Sequence, residues 1–353
     1  TSYYGSYDTI VFGQRAQDLI KHHAKYDSNY PIFIWLAFHG AHSDQGYADE
    51  SVLSDDNIKY LEILKESGMT DTRMLYARAL MSVDRTVQAV VGTLREGNMI
   101  NNSVVVVHSD NGAQPCVSDM AGSNWPLRSC KFQYFEGGVR VPAFVYAPGI
   151  FLSSQTGTVY NGLMHHVDWY TTFLSLAKYS RSQLLNVLDG VDHWDAITGV
   201  SEGPRKEIVL DLSSVAVINH TRREMGFEYA VIAYIYEEMK LLQNVPDDTW
   251  YNPNTTYPST CVGRTCKMSG WLNHESCGWS NWLFNLTEDP YERNNLYYDP
   301  AYAAVRRDLM SRVEERYMKE HFQSVSWGDD STLTASKAFK HAGGYVVPWG
   351  CGE

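Results

Sequence analysis

The sequence predicts an α/β protein: an open sheet that offers polar residues at its strand ends, followed by a smaller α+β unit. Three observations lead there. Helical and strand periodicities alternate through the first 212 residues. Two short apolar runs end abruptly in polar residues, one in His39-Gly40-Ala41-His42 and the other in Ser109-Asp110-Asn111-Gly112. After about residue 213 the composition shifts, and a Cys-, Pro- and Asn-rich excursion lies between two strand-like segments. The division is therefore placed at 1–212 and 213–353, and 44% hydrophobic content gives each part enough apolar side chains for a core.

The elements follow in order. Residues 8–23 read as an amphipathic helix, with Ile10, Phe12, Ala16, Leu19 and Ile20 on one side and Asp8 at its start. Ile32 to Phe38 is a short apolar strand. A long helix spans 71–96, where Tyr76, Leu80, Val83, Val87, Val90 and Leu94 recur every three or four residues and Gly97-Asn98 provides a stop. The β-branched run at 103–107 is the next strand, and after Gly137-Gly138 another runs from Val141 to Ala147, closed by Pro148-Gly149. Residues 166–177 are helical and Ile208 to Leu212 is a buried strand. In the second unit the strands are Tyr229 to Ile235 and Trp282 to Leu286, followed by a helix over 299–319. In such open sheets ligands sit beyond the carboxyl ends of the strands.

Composition excludes some partners. A formal charge of −12 and a pI near 5.4 argue against nucleic acid or an anionic membrane surface, so any anion pocket must be local. There is no membrane-spanning apolar run. Six cysteines without a C-x-x-C pair favour disulfides over zinc, and sequons at Asn101, Asn219, Asn254 and Asn285 point with them to the secretory pathway. Thr1-Ser2-Tyr3-Tyr4-Gly5 has no signal-peptide pattern, so the chain is read as mature, processed or incomplete.

Asp110 and Asn111 offer only oxygens, which suits Ca²⁺, or less well Mg²⁺, rather than zinc. A calcium ion wants six to eight oxygens, so these two make half a site, and the competing reading is an Asx-Gly turn without metal. His42 can bind an anion or give a proton, or simply be a satisfied strand-end histidine. Lys131 can hold a sulfate or phosphate oxygen as a point charge, or be a solvated loop lysine. Arg128 and Arg140 read as braces for their loop through carboxylates such as Glu136. No G-x-S-x-G elbow, P-loop or activated cysteine supplies a nucleophile.

Blocks along the chain resemble the sulfatase family, within the alkaline-phosphatase-like superfamily, and most closely its arylsulfatase B type, which acts on N-acetylgalactosamine 4-sulfate. They are Tyr7 to Ala16, Trp35 to Phe38 with His42, Tyr76 to Asp84, Asn101-Asn102-Ser103, Ser109 to Gly112, Asn124-Trp125-Pro126-Leu127-Arg128 and Glu136 to Arg140. Leu188-Asp189-Gly190 and Trp282 to Asn285, with Asp289-Pro290 and Glu292, continue the series in the same order. The resemblance implies an α/β/α sandwich on a large mixed sheet whose N-terminal part lies outside this chain, plus a C-terminal α+β domain with an antiparallel sheet. It also implies that Asp110 and Asn111 are two calcium ligands, and that His42 and Lys131 bind the sulfate and assist departure of the alcohol.

Departures from the family pattern shape the functional expectation. The family nucleophile is a formylglycine made from the Cys of C-x-P-x-R, and none of the six cysteines stands in one; Cys261-Val262-Gly263-Arg264 comes nearest. The family's paired aspartates and its G-K-W-H segment are also missing, so the chain matches the C-terminal part of a sulfatase. Ser43-Asp44, Cys130 and Thr171 are smaller differences, and a carboxylate at Asp44 facing the site would repel sulfate. The expectation is a sulfuric ester hydrolase chain, lysosomal or extracellular, acting on a sulfated glycan or small sulfate ester. An N-terminal segment or partner chain would carry the formylglycine, and this chain alone would be inactive. The alternatives are a non-catalytic, structural or glycan-binding relative and, more remotely, a phosphodiesterase on the same scaffold, although those carry Asp-His-Gly where this chain has Asp110-Asn111-Gly112.

Overall fold

The computed structural model describes residues 6–42, 53–115, 122–179, 188–213, 215–218, 221–224, 231–252 and 279–320. Helix α1 (Asp8–Tyr26) lies along α3 (Asp71–Glu96). A Cβ at Gly13 would fall 2.1 Å from Thr86 Cγ2, so the glycine lets the two helices close on each other. Between them in sequence, α2 (Asp55–Glu66) starts at a capping box made by Ser54 and Asn57 and packs Leu61 beside Leu53 and Met74. Sequence reading passes over α2 because its apolar stripe is narrow and interrupted by charge.

Strand β1 (Val105–His108) pairs antiparallel with β2 (Ala143–Tyr146), Val107 opposite Phe144. Between them, the short helix α4 (Glu136–Val139) holds the Gly137-Gly138 turn. The expected strand at 32–38 is extended but joins no ladder among the described residues. Its side chains nevertheless alternate between packed and open faces. Ile34 packs with Ile20, Leu94 and Val105, while Phe33 and Trp35 are each 67% exposed. Helices α5 (Val167–Leu176) and α6 (Trp194–Ile197) follow.

The C-terminal sheet is fully antiparallel. Its strands β3 (Glu207–Ser213), β6 (Val231–Tyr236), β7 (Met239–Pro246) and β8 (Trp279–Asn285) lie in that order, and a separate hairpin joins β4 (Val215–Ile218) to β5 (Thr221–Glu224). Strand β3, read from sequence as the last of the first unit, thus hydrogen-bonds within the sheet of the second. Helix α7 (Ala303–Glu320) covers one face through Leu309 and Val313, which meet Ile232, Tyr234, Leu241 and Leu283. The opposite face buries Phe135 with Ala233, Leu242 and Phe284. A loop of the first unit therefore forms part of the core of the second.

A buried ionic lock fixes that junction. Lys240 on β7 is fully buried, its Nζ 2.9 Å from Glu136 Oε1 and 2.8 Å from Glu292 Oε1, while Glu292 Oε2 accepts from the Glu136 amide at 2.7 Å. Burial alone would push the ammonium down, but the two carboxylates outweigh it and hold Lys240 above the usual lysine range. Burial raises Glu292, with Glu136 adding to the rise and Lys240 opposing it. Removing one partner of such a group strands the others without water. Lys240→Met is expected to cost about 3–5 kcal/mol in urea unfolding. A variant with unchanged stability would show that the carboxylates pair elsewhere.

Candidate functional site

Strand β1 delivers Asp110 and Asn111. Beyond His108 the ladder continues for one step, Ser109 N donating to Pro142 O at 3.2 Å. Ser109 Oγ then donates to Asn111 O at 3.0 Å and curls the chain, and Gly112 N donates to Gly138 O at 3.0 Å. A Cβ on Gly112 would lie 1.8 Å from Gly137 O, so glycine on each side permits backbone to meet backbone. The Ser109 carbonyl is also approached by His108 Nδ1 at 3.0 Å and His166 Nε2 at 3.2 Å, which holds the strand end to the start of α5.

The neighbouring loop delivers Lys131. The Asn124 side chain bonds both Ala113 N (2.7 Å) and Ala113 O (2.9 Å), and donates to Ser129 O at 3.1 Å. Lys131 N donates to the same Ala113 carbonyl at 2.9 Å. Arg128, 4% exposed, pins the loop from behind: it reaches Asp247 Oδ1 at 2.5 Å, Asp248 O at 2.9 Å and Glu292 O at 3.1 Å. Its guanidinium sits 4.2 Å from the Phe135 ring centre and 4.4 Å from that of Trp282. The expected bracing role holds, with Asp247 as the partner rather than Glu136; Arg140 is the residue that lies 3.7 Å from Glu136.

His42 enters from the segment after 32–38. Lys131 Nζ stands 3.3 Å from His42 Nε2, although 89 residues separate them in sequence. Lysine has only protons to give, so Nε2 accepts at this distance. His42, Lys131, Asp110 and Asn111 all line one trough of about 2230 Å³. The donor chemistry of Asp110 and Asn111 fits a hard cation, but only in part. Among the described residues no three His, Cys, Asp or Glu come together to hold a metal.

Sequence reading missed what supports this wall. Asp168, fully buried at the start of α5, accepts from His165 N (2.7 Å), Val191 N (2.9 Å) and Arg205 Nε (2.8 Å), with His193 Nε2 at 3.2 Å. Burial pushes its carboxyl up, but the hydrogen bonds from His193, Arg205 and the backbone outweigh burial and hold it well below the ordinary 3.8. Of the sequons, Asn101 is exposed and Asn285 accepts from Thr287 N at 3.0 Å in a turn, whereas Asn219 and Asn254 lie outside the described residues. Cys130 is buried and unbridged; the other five cysteines and Ser43-Asp44 also lie outside the described residues.

Comparison with known proteins identifies the family. The sulfatase family model matches residues 1–179. Mouse arylsulfatase J is 31% identical over 323 residues, covering 88% of this chain and 49% of that protein. A sulfatase of Formosa agariphila is 30% identical over 316 residues, covering 81% and 54%, and pig N-acetylgalactosamine-6-sulfatase is 31% identical over 170 residues, covering 48% and 28%. Among solved structures, Ps i-CgsB superposes with a TM-score of 0.61 at 21% identity, covering 92% of this chain and 57% of that one. Its complex with k-i-k-neocarrahexaose gives 0.58 at 20%, covering 94% and 61%. The fold and the family model together define the class: the chain belongs to the sulfatase family, with the α/β fold and C-terminal sheet of that group. It spans about half the length of mouse arylsulfatase J, and these relatives do not single out the arylsulfatase B type.

The Asp168 network generates a pH prediction. A carboxyl held below its unfolded value stabilises the fold fully above that value, and the contribution is lost as pH falls through the lower, folded value. Asp168→Asn is therefore expected to cost about 3 kcal/mol equally at pH 7 and pH 5, with the gap to wild type narrowing only below about pH 4. Urea unfolding across that range checks it. A gap that closes between pH 7 and 5 would place the titrating group elsewhere.

Proposed function

We propose that this chain is the sulfate-holding part of a calcium-dependent sulfuric ester hydrolase acting on a sulfated glycan or aryl sulfate. The 3.3 Å approach of Lys131 to His42, on the wall that bears Asp110 and Asn111, carries the reading. Two nitrogen groups suited to anionic oxygens thus face the same space as two oxygen ligands suited to a hard cation.

A bound Ca²⁺ would supply positive charge at the sulfate oxygens, and Mg²⁺, which demands stricter geometry and keeps its waters, suits the pair less well. Lys131 fixes a sulfate oxygen as a point charge, and the loop hydrogen bonds at Ala113 keep it there. His42 stands beside Lys131 to serve the departing alcohol: a proton delivered from this nitrogen pair to the ester oxygen as the S–O bond breaks neutralises the charge that develops there. Calcium would be held by Asp110 and Asn111, with the remaining ligands from outside this chain.

The nucleophile belongs to that other half. No cysteine here stands in C-x-P-x-R, so we assign the formylglycine and further carboxylates to a segment outside these 353 residues, an N-terminal stretch or a companion chain. Two observations support this assignment. Phe33 and Trp35 present apolar faces to the trough, and their segment has no ladder partner among the described residues. A lysosomal or extracellular location accompanies the reading.

Intact-mass analysis and N-terminal sequencing of native material are expected to reveal the formylglycine-bearing segment. Its absence would favour the non-catalytic, glycan-binding alternative. In the native protein, Asp110→Ala and Lys131→Ala should each lower kcat/KM on p-nitrophenyl sulfate by roughly a hundredfold or more, and a chelator should abolish turnover until Ca²⁺ is returned. Undiminished activity in Asp110→Ala would refute the metal assignment.

A further inference from the structure

At the rim of the trough the chain gathers an aromatic group around one arginine. The Arg293 guanidinium carbon lies 5.9 Å from the Trp125 ring centre, 5.7 Å from that of Trp250 and 5.8 Å from that of Tyr291. Trp125 and Tyr291 are 41% and 39% exposed, and Trp125 lines the trough shared by Lys131 and Asp110. Arg293 is itself exposed, and its interactions among the described residues are with these rings rather than with a carboxylate. This is unusual in the neighbourhood, since Arg128 and Arg140 both face acidic side chains.

We infer that Trp125, Tyr291 and Arg293, backed by Trp250, form a second subsite that takes a further anionic sugar of the same glycan; the inference rests on the sulfate-site reading above. Exposed indole and phenol rings offer flat apolar faces that match the C–H face of a pyranose ring, each with a polar edge for a hydroxyl. A guanidinium beside them has a planar fork of N–H donors for a sulfate or carboxylate on that sugar. In a chain of formal charge −12, such a local cation is what makes an anionic polymer welcome at the mouth.

The platform is built rather than incidental. Trp125 follows Asn124, whose amide clamps Ala113 two residues after Asn111, so the ring is tied to the half-site through the backbone. On the other side, Trp250 Nε1 donates to the backbone carbonyl of Tyr291 at 2.7 Å, which fixes the loop independently of the Tyr291 side chain. A small aryl sulfate held at Lys131 has no second anionic ring to offer. An oligosaccharide does, so the site discriminates in favour of polymeric, multiply charged glycans.

The experiment uses the native protein, with chondroitin sulfate and carrageenan hexasaccharides, an uncharged hexasaccharide and p-nitrophenyl sulfate as probes. Calorimetry should show Arg293→Ala and Tyr291→Ala each weakening the charged hexasaccharide that wild type binds by roughly tenfold, with Arg293→Lys recovering part of the loss. The ratio of kcat/KM for that hexasaccharide to that for p-nitrophenyl sulfate should fall by a similar factor. Wild-type binding of neither charged hexasaccharide, equal binding of the uncharged one, or unchanged affinity in both variants would overturn the subsite. So would equal losses on the two substrates, the mark of a merely structural role. If no sulfate ester is turned over, the hydrolase reading fails by itself, and the binding measurements still decide the subsite.

Discussion

The arrangement at the site depends on a buried charge group that lies away from it. Lys240 between Glu136 and Glu292 joins one of the two inner strands of the C-terminal sheet to the short helix after the lysine-bearing loop. Desolvating three charges is costly, and an apolar cluster of equal volume can stabilise as well or better. What the group adds is direction. Glu136 N and Glu292 Oε2 meet at 2.7 Å, so the helix cannot slide along the sheet without leaving an ammonium or a carboxylate uncompensated. Arg128 repeats the principle earlier in the loop, held by Asp247 and Trp282 from the second unit and by the Phe135 ring.

From that anchor the chemistry is placed by backbone contacts. The Gly137-Gly138 turn presses on Gly112, Asn124 binds both polar groups of Ala113, and the Ala113 carbonyl receives Lys131 N. Asp110 and Lys131 come from different loops, yet Lys131 N bonds the carbonyl of Ala113, three residues after Asp110. Side-chain placement by backbone in this way is stiff, and it suits a site that must hold charged oxygens at fixed positions. Only His42 arrives from another direction, at the end of a segment with one face packed and the other open.

Much of this was legible in the sequence, for identifiable reasons. Helices α1 and α3 and strands β1, β2 and β6 carry clear periodicity, and the polar residues at the 39–42 and 109–112 ends stand out against apolar runs. Strand β7 was not legible, because Lys240 and Gln243 interrupt its pattern and their partners are remote in sequence. Residues 32–38 show the converse: an apolar run reads as a strand, but a strand also needs a neighbour, and sequence does not say which neighbour is present. The approach of His42 to Lys131 could not come from local pattern at all; the family resemblance supplied the pairing.

An acidic chain must gather cations locally to hold an anion, and the basic residues near the trough divide into two sets. Arg128 is buried against Asp247 and serves the framework, and Arg140 lies 3.7 Å from Glu136. Lys131 faces a histidine nitrogen and a phenylalanine ring, and Arg293 faces three aromatic rings. Aromatic neighbours orient a cation without cancelling its charge. Among the described residues, the cations near the trough whose contacts are with rings or a histidine and not with a carboxylate are Lys131, on the wall that bears Asp110, and Arg293, beside Trp125. Two such cations, one lining the trough and one beside the Trp125 ring that lines it, suit a ligand that carries negative charge at more than one point.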